Sequence, residues 1–298
     1  MNLSHWIAAA RLRTLPLAFS SILLGTFLAA AQGHFNGWIL MLSLITTLCY
    51  QVLSNYANDY GDGVKGTDSN RDGEARAVAS GLISAAQMKK AVILFAILSL
   101  IFGTGLSFLA TQSLSIWVGA GFGFLGLLAV IAAITYTVGK RAYGYNALGD
   151  LAVLIFFGWI GVVGSHFLQT ATFDWHVFLP ATSVGFLAMG VLNLNNMRDL
   201  DKDKSNGKIT LAVKLGLRGA KIYHGALLLL AFDAAFLFNT LKGNGLMANL
   251  YFLAVPFLVI NLTSVYKAFE PLQFEPLLKR LALTTLLFSL LFGLGQLL

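Results

Sequence analysis

Charge is what this chain has least of. Asp, Glu, Lys and Arg make up 11% of its 298 residues, whereas a soluble domain carries about a quarter. With 57% hydrophobic residues and a mean hydropathy of +0.75, this shortage excludes a soluble globular domain. Cysteine is nearly absent too: Cys49 stands alone inside an apolar run, which excludes a disulfide framework and reads as a small core residue. The histidines (His5, His34, His166, His176, His224) show no metal-ligand spacing and are expected at interfaces. A cleavable leader is not expected either. The first apolar run is long, follows Arg13 and lacks a small-residue cleavage site.

Long apolar runs are what the chain has in abundance. A spanning helix needs roughly 20 apolar residues, and nine candidates are centred near Ile22, Thr47, Leu100, Leu127, Phe156, Leu187, Leu230, Pro256 and Ser289. The expected fold is therefore all-α, a polytopic bundle of nine transmembrane helices in one domain over residues 1–298. Residues 1–14 read as an amphipathic interfacial helix with Trp6 near headgroup level, and Arg11 and Arg13 read as its anchors. A parallel repeat of four helices, about 15–140 and 145–270, with a ninth helix added, is also expected. The glycines Gly103, Gly105, Gly119, Gly121, Gly123 and Gly126 read as a packing stripe.

Basic residues orient the bundle. Nineteen of the 20 lie before the first span or in alternate connections, and only Lys242 falls on the other side. The positive-inside rule makes the crowded side cytoplasmic, so a multi-pass protein of the cytoplasmic (inner) membrane is expected, with its N-terminus inside. The net charge of +7 follows from this asymmetry and does not suggest nucleic acid; anionic lipid headgroups and an anionic substrate fit better.

Of the 13 carboxylates, six fall in two short stretches, Asn55–Asp62 and Asn195–Asp203, or at Asp68 just beyond the first. Each stretch sits where a long apolar run meets a polar loop on the basic side. On a helix, Asn55, Asp59 and Asp62 share one face, as do Asn195, Asp199 and Asp203. Two such rows repel unless cations bind between them. Mg²⁺ takes one or two carboxylates and completes its shell with water and phosphate oxygens, so the rows read as a divalent-metal site built to hold a diphosphate. Lys65, Arg71, Arg76, Arg198 and Lys208 stand close by in sequence and suit a departing diphosphate; spacing does not say which of them touches it. Asp233 is the one carboxylate deep within a span, and a hydrogen bond to a neighbouring helix is expected for it.

The pair of stretches resembles the UbiA superfamily of intramembrane aromatic prenyltransferases, whose first motif has the form NDxxDxxxD and whose second has DxxxD. Asn58, Asp59 and Asp62 match the front of the first; its third aspartate falls on Gly66, with Asp68 two residues on. Asp199 and Asp203 match the second, and Arg198, Gly207-Lys208 and Thr210 continue the likeness. The wording of both motifs, with Ala147–Asp150 and Tyr136–Arg141, is most similar to the menaquinone branch of that family.

The resemblance implies transfer of a polyprenyl group from polyprenyl diphosphate to 1,4-dihydroxy-2-naphthoate, assisted by Mg²⁺, with loss of CO2 and diphosphate. It implies metal-holding roles for Asp59, Asp62, Asp68, Asp199 and Asp203, and diphosphate contacts for Lys65, Arg198 and Lys208. Asn55, Asn58 and Asn195 would support substrate, and Arg76, Tyr136, Lys140 and Asp150 are candidates for the aromatic acceptor. Lys140 doubles as a topology anchor, and Asp150 also reads as a helix N-terminal charge. Two alternatives stay open: another acceptor such as 4-hydroxybenzoate, and a secondary transporter of an anionic solute. A transporter should carry polar breaks near the midplane, whereas the polar residues here cluster at one surface.

Overall fold

A computed structural model describes residues 2–66, 76–139 and 142–298, and among them every regular element is helical. Nine stretches of the described residues are long and apolar enough to cross a membrane, and each encloses one of the expected centres. The protein is a multi-pass membrane protein. Asp68, Arg71, Lys140 and Arg141 lie outside the described residues.

The N-terminal helix is shorter than expected. α1 covers Leu3–Ala10, Arg11 turns left-handed with φ 48°, and a 3-10 turn at Leu12–Thr14 leads into α2, Leu15–Ala31, whose first turn holds Pro16. That proline costs no hydrogen bond, because a first-turn N–H has no helical partner. Asn36 accepts the N–H groups of Trp38 and Ile39 to start α3, Gly37–Lys65, and Gly66 at φ 74° ends it, a left-handed cap that glycine adopts without strain. Ser84 and Gln87 form a reciprocal capping box for α4, Ala85–Thr111. α5 follows at Ile116–Thr135.

α6, Gly149–Thr170, contains a π-helical run at Leu154–Val163. The remaining helices are α7 (Phe178–Arg198), α8 (Leu200–Ser205), α9 (Leu211–Lys242), α10 (Val255–Lys267, entered through 3-10 turns at Leu246–Ala254) and α11 (Pro271–Leu297).

Helix α3 packs along α4, α7 along α9, and α2 along α11. One apolar core joins α1, α3 and α4 through Val52, Leu53, Tyr56 and Met88, with the Trp6 indole edge-on to Tyr56 at 5.7 Å. A larger core, including Val162, Leu187, Leu228 and Phe288, joins α6, α7, α9 and α11. Within the glycine stripe, Gly126 and Gly103 approach the Tyr50 hydroxyl and Gly119 approaches Thr111, but Gly105, Gly121 and Gly123 face open space. Only half of it serves packing within the chain.

Two further expectations change. His166 and His224 are buried rather than interfacial, and His224 pairs its Nε2 with Asn261 Oδ1 at 3.0 Å. Asp233 lies on the exposed face of α9 and makes no hydrogen bond among the described residues, so the expected link to a neighbouring helix is not formed. Cys49 is buried, as its apolar surroundings suggested.

Candidate active site

Both acidic stretches end at the basic-rich end of the bundle. α3 stays helical through Lys65, so the first row forms as its spacing predicts. The second row does not lie on one helix: α7 stops at Arg198, Asp199 is its cap, and the chain restarts as α8. An N–H bond from Asp203 to the Asp199 carbonyl, 2.8 Å, carries the turn across the break.

Each member of the first row has a distinct task. Asn55 donates to the Ala10 carbonyl at 2.8 Å and reaches Thr14 Oγ1 at 3.4 Å, tying the N-terminal segment to α3. Asp59 accepts the backbone N–H groups of Ala77 at 3.1 Å and Val78 at 2.9 Å, fastening the returning chain to the helix. Asp62 accepts the Tyr145 hydroxyl at 2.7 Å. Lys65 donates to the Thr137 carbonyl at 2.7 Å and stands 4.0 Å above the Tyr145 ring, a favourable cation–π distance. Thr137 in turn donates to the Ala57 carbonyl and reaches Asn58 Oδ1. It sits against Gly61, where a Cβ would meet its Oγ1 at 2.7 Å, so the close approach needs glycine.

The second row is built around Arg198. Its Nε and Nη2 donate to the two oxygens of Asp199, both at 2.8 Å, Nη2 also donates to Asn195 Oδ1 at 2.7 Å, and Nη1 donates to Glu275 on α11. Most of its donors are therefore committed within the protein. Asp203 faces Lys208 at 3.4 Å, and Lys208 Nζ lies 5.6 Å from the Tyr145 ring. Tyr145 thus stands between lysines from the two halves, and its backbone carbonyl accepts the Ile209 N–H at 3.1 Å.

Burial, reinforced by Asp199 and Asp62 and opposed by Lys208, pushes Asp203 up to about 6. Burial would lower the Lys208 ammonium, but Asp203 and Asp62 outweigh it and hold its pKa above the ordinary lysine value. Burial and the fields of Asp150, Asp62 and Asp203 raise the Tyr136 phenol.

A cavity of about 470 Å³ runs from this end into the apolar interior. Asp62, Asn58, Asn195, Arg198 and Lys208 border its charged end, as do Asn55, Arg76 and Tyr136, while Phe122, Phe156 and Leu168 line its deeper wall. Asp59, Lys65, Asp199 and Asp203 stand behind that lining. Asp150 is buried outside it and accepts the Tyr223 hydroxyl at 3.0 Å, so it joins α6 to α9 rather than facing the cavity.

Sequence reasoning missed Tyr145, Thr137 and Glu275. It also read Arg11 and Arg13 as membrane anchors, whereas both border the cavity, and Arg13 pairs with Glu275 at 2.7 Å.

The residues fit a divalent cation in a particular way. Among the described residues no three His, Cys, Asp or Glu side chains converge to enclose a metal. Asp203 Oδ2, however, is buried without a hydrogen-bond partner, and Asp62 lies close enough to raise its pKa. An orphaned carboxylate oxygen, all-oxygen donors and an open substrate side suit Mg²⁺, which takes few protein ligands and leaves positions for phosphate oxygens.

Comparison with known proteins agrees with this geometry. The model of the UbiA prenyltransferase family matches residues 18–294, and the chain belongs to that family. It is 46% identical over 291 residues to the 1,4-dihydroxy-2-naphthoate octaprenyltransferase of Escherichia coli (strain K12), covering 97% of this chain and 94% of that protein. It is 44% identical over 301 residues to the protein of the same name from Haemophilus influenzae, covering 99% and 96%. Among solved structures, a UbiA homologue from Aeropyrum pernix K1 superposes with a TM-score of 0.69 at 16% identity, covering 99% of this chain and 98% of that one. A UbiA homologue from Archaeoglobus fulgidus bound to DMAPP and Mg²⁺ gives 0.65 at 17% identity, covering 96% and 98%.

Proposed function

We propose that the protein transfers a polyprenyl group from polyprenyl diphosphate to 1,4-dihydroxy-2-naphthoate, releasing CO2 and diphosphate and giving demethylmenaquinol. The observation that carries this reading is the meeting of both acidic stretches, linked through Tyr145 and Lys208, at the charged end of one cavity whose deeper wall is apolar. A diphosphate belongs at the first end and a prenyl chain along the second. The acceptor comes from the two relatives more than 40% identical along nearly the whole chain.

Asp62 and Asp203 would hold Mg²⁺, with Asp199 behind them. Bound there, Mg²⁺ supplies positive charge to the diphosphate oxygens as the allylic C–O bond breaks. Lys208 borders the cavity and adds a fixed positive charge on the same side, held in place by Asp203 and the Tyr145 ring. Arg198 acts by orienting Asp199 and Asn195 rather than by offering a free guanidinium. Asp59 shapes the site by fixing the chain at Ala77 and Val78. The apolar walls keep water from the allylic carbon, which favours attack by the arene over hydrolysis.

The basic-rich end is proposed to face the cytoplasm across the inner membrane, in line with the distribution of Lys and Arg. Reporter fusions at the two ends of successive spans test this. The function is tested with purified protein, prenyl diphosphate and 1,4-dihydroxy-2-naphthoate, with and without EDTA, and with 4-hydroxybenzoate in competition. Prenylated naphthalene product that disappears with EDTA is expected. Product from 4-hydroxybenzoate alone would replace the acceptor.

A further inference from the structure

Besides Arg11 and Arg76, the charged end of the cavity has two cationic groups. One surrounds Asp62 and Asp203 and contains Lys208. The other lies where the N-terminal segment meets α11 and contains Arg13, Arg198 and Lys279, around Glu275. In this second group Arg198 is committed to Asp199, Asn195 and Glu275, and Arg13 to Glu275. Lys279 is different. It borders the cavity one helical turn beyond Glu275, on the same face of α11, and it makes no hydrogen bond or ion pair among the described residues. The two carboxylates of this group, Glu275 and Asp199, are taken up by Arg13 and Arg198, and neither pairs with Lys279.

We propose that Lys279, beside Arg13, is the subsite for the carboxylate of the aromatic acceptor. This rests on the naphthoate reading above. Diphosphate and naphthoate are both anions, and in one cavity of about 470 Å³ they repel unless each has its own cations. The group around Asp62 and Asp203 serves the diphosphate. The unmatched charge at Lys279 complements a single carboxylate, and its exposed position at the mouth lets an acceptor engage it on entry.

The test compares wild-type protein with Lys279→Gln and Lys279→Arg in nanodiscs. The readouts are KM for each substrate and competitive inhibition by 1-hydroxy-2-naphthoate and by 1-naphthol, which lacks the carboxylate. A charged hydrogen bond at this partly solvated position corresponds to about a tenfold effect. Lys279→Gln should therefore raise KM for dihydroxynaphthoate and Ki for 1-hydroxy-2-naphthoate about tenfold. KM for prenyl diphosphate and Ki for 1-naphthol should hold steady, and Lys279→Arg should recover most of the loss. Equal weakening of both inhibitors, or an unchanged naphthoate KM, would overturn the subsite. So would a loss that appears only in phosphatidylglycerol discs and not in phosphatidylcholine discs, since that assigns Lys279 to net-anionic lipid headgroups. If wild-type protein fails to prenylate the naphthoate, the acceptor reading falls and the subsite with it. If wild type turns over and only the Lys279→Gln effect is missing, the subsite falls alone.

Discussion

Asp59 sits at the heart of the first acidic motif, yet both its oxygens bond to the backbone of a returning chain. Replacing it with alanine leaves two donors, the N–H groups of buried Ala77 and half-buried Val78, without the acceptors they hold at 3.1 and 2.9 Å. A hydrogen bond to a charged group contributes about 1.5–3 kcal/mol. Losing both, with some water entering, should lower the opening free energy of this segment by about 3 kcal/mol. That corresponds to roughly hundredfold faster amide exchange at the two positions. Asp59→Asn keeps one acceptor oxygen and should give about a tenfold increase. Hydrogen–deuterium exchange on a peptide covering residues 76–84 reads this directly. Asp62→Ala is the control, because Asp62 bonds Tyr145 and not this segment. Wild-type exchange in the Asp59→Ala protein, or an equal effect from Asp62→Ala, would refute the assignment of Asp59 as a fastening.

Other outcomes follow from neighbouring contacts. Tyr145→Phe keeps the ring beneath Lys65 and Lys208 but removes the bond to Asp62, so the Mg²⁺ concentration for half-maximal rate should rise about tenfold with little change in melting temperature; an unchanged Mg²⁺ titration would exclude this orienting role. Glu275→Gln weakens the partner of two arginines, one of them buried, and should cost about 2 kcal/mol, read as a lowered melting temperature. On the opposite face, burial would raise Asp174, but Lys242 and His176 outweigh it and hold the carboxyl at about 2. Its folded value lies below its unfolded one, so its contribution is present above the ordinary carboxylate range and is lost as pH falls from about 4 to about 2. Asp174→Asn should lose about 1 kcal/mol near neutral pH and flatten thermal stability across that window.

The spans were legible because each is a long apolar run bounded by punctuation that folding respects, such as Asn36, Gly66, Ser84 and Gly243. The first acidic row was legible for a similar local reason, since three- and four-residue spacing fixes a helical face without any tertiary knowledge. The second was not, because α7 ends at Arg198 and Asp203 follows the break. Nor was their division of labour. Whether Asp59 or Asp62 faces the cavity depends on where Ala77, Val78 and Tyr145 return in space. Tyr145 lies 83 residues from Asp62 and Glu275 lies 77 from Arg198, and no local period marks either. Asp150 looked like an acceptor contact because it sits in a family-like phrase, but its partner, Tyr223, lies 73 residues on, in α9. Arg11 and Arg13 misled for the opposite reason. Arginines before a first span usually mark topology, and only the left-handed turn at Arg11 and the ion pair to α11 reveal another role.

Tyr145 has one more consequence, which concerns biosynthesis. The groups it gathers emerge from the ribosome far apart, Asp62 and Lys65 early and Lys208 well past the midpoint, and Glu275, which holds Arg13 and Arg198, comes only with the final helix. A truncated or half-inserted chain therefore holds scattered charges and no working pocket. The charged end of the cavity is complete only once α11, which carries Glu275 and Lys279, has joined the bundle.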